Sequence, residues 1–60
     1  MDGRRFDRNA DRLAQVLWHV NKMKTDYIPA QVKLQVLIAN LEFALQLNDE
    51  LGSMAEKGLI

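Results

Sequence analysis

The sequence predicts an all-α chain: an antiparallel two-helix hairpin, with a short third helix as an option at its C-terminus, that dimerises into a four-helix bundle. Three observations carry this. Apolar residues recur at steps of three and four through both halves of the chain, the pattern of a helix face. A single proline, Pro29, divides the halves. The second half is apolar on two nearly opposite sides, more than one partner helix covers.

Helix 1 is expected over about residues 6–25. Phe6, Ala10, Leu13, Leu17, Val20 and Tyr27 form its seam, interrupted by Lys24, and Val16 and Met23 widen the stripe toward a core-facing width. Asp7 and Asp11 near its start and Lys22 and Lys24 near its end suit the helix macrodipole. Asp2 and Gly3 are expected to fray. The turn follows at about residues 25–29. Pro29 disfavours helical geometry at Ile28 and is itself well placed to open a new helix. So short a connection makes the two helices antiparallel neighbours. Tyr27 and Ile28, apolar for a turn, are expected to plug the end of the core.

Helix 2 is expected over about residues 30–48, with an extension to about 57. Twelve of the eighteen residues from Ala30 to Leu47 are apolar. Projected at about 100° per residue, they separate into a leucine-rich face of Leu34, Leu37, Ile38, Leu41 and Leu45 and a second face of Val32, Val36, Ala39, Phe43 and Leu47. Gln31, Gln35, Glu42 and Gln46 occupy one narrow flank, Lys33 and Asn40 the other. The tail has two readings. Helix 2 runs on through Gly52, at about 1 kcal/mol relative to alanine, or it breaks there and Ser53 with Glu56 caps a final turn. Leu51, Met54 and Ala55 continue the leucine-rich face and favour continuation; Gly58 is a stop in both readings.

Length and composition bound the rest. Sixty residues form a single helical-hairpin domain, residues 1–60, and a chain this short buries only roughly 60% of its unfolded surface. The absence of cysteine removes disulfides and Cys-based zinc sites, and one histidine among scattered carboxylates offers no converging ligand set, so no metal or cofactor is expected. No apolar run reaches the ~18 residues of a membrane span, and Met1-Asp2-Gly3-Arg4-Arg5 leads into no secretory signal, so the expected location is cytoplasmic. Neither membrane nor small-molecule substrate is expected as a partner. What remains is an unusually good core or association with another chain.

The second face of helix 2 selects association. Its alternative covers, the N-terminal dozen residues and Leu59-Ile60, are short and partly charged. Burying one large apolar side chain contributes about 1.5–3 kcal/mol. Several of them, even discounted, amount to the stability of a whole small domain. The expected homodimer interface is therefore Val32, Val36, Ala39, Phe43 and Leu47, with the leucine-rich face inside the hairpin; the projection alone also allows the exchange of the two.

Function follows from surfaces rather than from a catalytic motif. His19 has no second histidine or cysteine beside it, nothing in the spacing brings Ser53 to it, and Asp49 and Glu50 diverge as helix neighbours, so no enzyme is expected. Trp18 projects away from the apolar stripe, either flat on the bundle surface or wedged at a subunit edge, or as an anchor for a separate protein partner. Arg4, Arg8, Arg12, Gln15, His19 and Lys22 line the face of helix 1 opposite that stripe. The net charge of zero hides this polarity: residues 1–24 carry six basic and three acidic side chains, residues 25–60 two and five. The stripe is either a solvated face laced with Arg–Asp pairs or a nucleic-acid surface doubled by dimerisation. In architecture such a dimer is similar to the small plasmid-encoded RNA-binding four-helix bundles of the Rop type, also dimers of hairpins of about this length; that likeness is one of fold and does not license a function. The expectation is a small adaptor or regulator acting by helix–helix contact, and the alternative is a dimeric RNA-binding bundle.

Overall fold

The structure is a computed structural model that describes residues 2–60. Two helices, α1 (Gly3–Asn21) and α2 (Ile28–Glu56), lie side by side as a hairpin, and no strand occurs among the described residues. The longest dimension is 47 Å, close to the roughly 44 Å of a 29-residue helix. The radius of gyration is 14.3 Å, against about 10 Å for a globular chain of this length. This is a rod one helix pair thick.

Helix α1 starts earlier than the periodicity indicates. Asp2 caps it, its Oδ1 accepting from the Arg4 amide at 3.0 Å. Gly3 is held rather than frayed: a Cβ on it would lie 3.2 Å from Cγ of Glu56, so the start of α1 rests on the end of α2. The helix also ends earlier, at Asn21, not at residue 25. Lys22 and Met23 amides tighten onto the His19 and Val20 carbonyls, and Met23, Lys24, Thr25 and Asp26 then line a groove with Gln31, Leu34 and Gln35 of α2. Gln31 fixes this connection, donating from Nε2 to the Thr25 carbonyl at 2.8 Å, while Thr25 Oγ1 accepts from the Tyr27 amide.

Tyr27 and Ile28 do not plug the core; they are 68% and 69% exposed. Tyr27 is the extended N-cap residue of α2, and buried Val20 with half-buried Leu34 already closes that end of the seam. Val16 and Met23 do not widen the buried stripe either. Both are exposed, Met23 because it lies beyond the end of α1 and Val16 because it projects beside the line of contact.

Helix α2 passes through Gly52 without a break and ends in the C-terminal motif that glycine permits. The Gly58 amide donates to Ala55 and the Leu59 amide to Met54, with Gly58 at φ 76°. The Ser53–Glu56 capping reading is thereby excluded, both residues being inside the helix. The seam is formed by Phe6, Ala10, Leu13, Leu17 and Val20 against Leu34, Ile38, Leu41, Ala44, Leu45, Asn48, Gly52 and Ala55. Leu37 lies at its edge and is exposed, although the projection groups it with the inner face. Among the described residues, only Val20 and Ala55 are buried apolar residues, each 7% exposed, and no side chain is completely enclosed.

Candidate interaction surfaces

The outer face of α2 follows from its period. The side turned to α1 takes Leu34, Leu41, Asn48 and Ala55 at seven-residue intervals, with Ile38, Leu45 and Gly52 beside them. The opposite side then falls to Val32, Val36, Ala39, Phe43 and Leu47, all exposed, with Phe43 at 57%. No segment of the described chain covers them. Helix α1 packs on the other side, and Leu59 and Ile60, the alternative cover, are themselves exposed. The apolar surface continues around one edge of α2, where Leu47 and Leu51 border an open groove floored by Phe6, Leu13 and Ala44 and rimmed by Arg12. The other edge is polar, with Asp7, Asp49, Ser53 and Glu56 around Ala10 and Gly52.

Within the seam, sequence reasoning missed Asn48. Its side chain is buried and donates from Nδ2 to the Phe6 main-chain carbonyl on α1 at 2.8 Å. That carbonyl lies inside α1 and so has a lone pair left for a second donor. The signal was available: Asn48 continues the Leu34–Leu41 line and precedes Ala55 by the same step, a polar residue on a core line.

On α1, Arg4, Arg8, Arg12, Gln15 and His19 are all exposed, as is Lys22 at its C-cap. None of the side-chain hydrogen bonds among the described residues uses an arginine side chain, so the stripe is not laced by Arg–Asp hydrogen bonds. The C-terminal part of the stripe meets Trp18. Lys22 Nζ lies 3.9 Å from the centre of the indole ring, within cation–π range, and the His19 ring approaches edge-on at 4.9 Å. Trp18 is 55% exposed, and Lys22 occupies a face of the ring that a partner has to share or displace.

Among the described residues, no group of three or more His, Cys, Asp or Glu side chains converges as a metal ligand set. His19 engages Trp18 toward the turn, whereas Ser53 lies at the open end of the hairpin near Asp7. The structure does not bring them together. No described helix is long and apolar enough to cross a membrane. No protein-family model matches the chain, and neither a curated protein nor a solved structure matches it.

Proposed function

We propose that the chain is a non-enzymatic helix–helix interaction module, an adaptor or regulator, whose working unit is a homodimer joined through α2 as a four-helix bundle. The observation that carries this reading is the exposed Val32/Val36/Phe43/Leu47 face on a hairpin with almost no buried apolar side chains. Area supports it. A folded monomer of 6.9 kDa is expected to expose about 4,000 Å², whereas this chain exposes 4998 Å². The excess, about 1,000 Å², is close to the roughly 800 Å² each partner covers in a standard interface.

Light scattering after size exclusion at micromolar concentration tests it, with twice the 6.9 kDa chain mass as the expected result. A folded monomer overturns it. Phe43→Glu places a charge in the proposed contact and is expected to yield monomer or unfolded chain. Gln35→Glu, on the polar flank, is expected to leave the dimer intact. Equal behaviour of the two variants refutes the assignment of the face.

A second reading, a nucleic-acid surface, is favoured by the line of exposed arginines with no side-chain hydrogen bonds. Binding of an RNA duplex that weakens steeply between about 50 and 200 mM salt, and that is lost when Arg4, Arg8 and Arg12 become alanine together, supports it. Salt-independent binding, or binding that survives the triple substitution, excludes this stripe.

A further inference from the structure

Six of the eight exposed large apolar residues of α2 are spaced symmetrically, Leu37 and Met54 standing outside the pattern. Ile28, Val32 and Val36 stand four residues apart, Phe43, Leu47 and Leu51 stand four apart, and seven residues separate the two groups. The steps read four, four, seven, four, four in both directions about a midpoint between Ala39 and Asn40. Val36 and Phe43 are equidistant from that point, as are Val32 and Leu47, and Ile28 and Leu51. An isologous contact requires that residue i meet j while j meets i. Two antiparallel α2 helices crossing at this midpoint meet that requirement with apolar side chains at these three levels, and the two residues nearest the axis, Ala39 and Asn40, are small.

Charge selects the same direction. Glu50 lies seven residues after Phe43 and fourteen after Val36, so it continues their line on the outer face and is exposed. In a parallel pair, residues on such a line face their own copies, which sets Glu50 against Glu50 across the contact. In the antiparallel pair Glu50 is level instead with the partner's Pro29. Within α2 itself, residues 42–56 carry Glu42, Asp49, Glu50 and Glu56 with no cation, whereas the first half carries Lys33 and no acid; Arg4, Arg5 and Arg8 of α1 share the acidic end within each hairpin. Antiparallel pairing brings the acidic half of each α2 to the half of the other that carries Lys33, and it opposes the two helix macrodipoles.

We infer that the outer face of α2 takes a second copy of this chain in antiparallel orientation, about a two-fold axis beside Ala39 and Asn40, so that Val36 meets the other copy's Phe43 and Val32 its Leu47. The inference rests on the dimer reading above and adds direction and register to it.

The chain has no cysteine, so single cysteines report cleanly. Ala39→Cys lies beside the axis and is expected to cross-link under oxidation in either orientation, which makes it the test of dimerisation alone. Glu50→Cys, outside the apolar ladder, carries a spin label. The antiparallel register separates the two labelled positions by about 30 Å along the helix axes; a parallel pair holds them near the interaxial distance of about 8–10 Å. A separation near 30 Å supports the inference. A short separation in a chain whose Ala39→Cys variant cross-links overturns the orientation and leaves the dimer standing. No dipolar coupling, together with no cross-link at Ala39→Cys, overturns the dimer reading and the register with it.

Discussion

Alanine in place of Gly52 sets two terms of opposite sign against each other. Gly52 lies inside α2, where alanine is favoured by roughly 1 kcal/mol. Its added Cβ, however, falls 3.1 Å from Cβ of Phe6, inside the roughly 3.5–4.0 Å of an ordinary carbon contact. Cβ of Phe6 is carried by the α1 backbone, so no rotamer change relieves the contact, and the first turns of α1 have to move outward by about half an ångström. Overpacking of this kind costs about 1–3 kcal/mol. The same movement stretches the 2.8 Å bond from Asn48 to the Phe6 carbonyl, worth about 1 kcal/mol. The net expectation is a loss of roughly 1–3 kcal/mol, or a fall in Tm of roughly 5–20 °C for a domain of this size. Gly3→Ala is the matched control. Its Cβ meets Cγ of Glu56 at 3.2 Å, a flexible side chain that rotates away, so its Tm is expected to hold or rise. The assay is thermal unfolding by circular dichroism at equal chain concentration, since association shifts apparent stability. A Gly52→Ala variant that melts at or above the parent temperature refutes the claim that helix contact at this point is close-packed.

Two further outcomes are expected. Asn48→Ala should cost about 1 kcal/mol, since the Phe6 carbonyl keeps its helical partner and no orphan group is created; Asn48→Leu should keep or raise the melting temperature while the hairpin register broadens, seen as extra or weakened amide resonances, and a single sharp set of resonances refutes a register role for Asn48. The parent chain itself should melt at a concentration-dependent temperature: with about 0.7 kcal/mol per residue of unfolding enthalpy, a tenfold rise in concentration moves the midpoint of a two-chain unit by about 6 °C, and an invariant midpoint contradicts linked folding and dimerisation.

The hairpin was legible because its determinants are local. The Phe6–Val20 seam has steps of three and four, and Pro29 can only stand at the start of a helix. The misread positions depend on contacts distant in sequence. Asp2 and Gly3 look like a fraying end until Glu56 is brought against Gly3 from the far end of the chain. The end of α1 was misplaced because Met23 and Lys24 extend a plausible helix, while the actual connection is settled by Gln31 reaching back to Thr25. Asn48 looks like a helix end in the sequence, although its place on the Leu34–Leu41 line marks it as a buried polar group. The two faces of α2 were legible, and the structure assigns Leu34, Ile38, Leu41 and Leu45 to the inner one. Projection could not do so, because both faces are apolar and only the position of α1 distinguishes them.

That assignment places many of the small α2 side chains on the inner side. The inner side holds Ala30, Ala44, Asn48, Gly52 and Ala55 among its leucines, and at Gly52 the helices approach so closely that an added methyl would lie 3.1 Å from Cβ of Phe6. The outer side holds Val32, Val36, Phe43 and Leu47, with Ala39 and Asn40 at their centre. A hairpin stabilised by its own seam gains most from large side chains turned inward, since buried apolar area is the main favourable term. Here close approach is favoured inside and much of the apolar bulk points outward. Small residues at a seam give a defined register with little buried area, and Asn48 reinforces that register at the same place. In the proposed dimer, a second hairpin on the Val32–Leu47 face covers the outer bulk, α1 orients α2, and the contact between two α2 helices contributes most of the hydrophobic stabilisation.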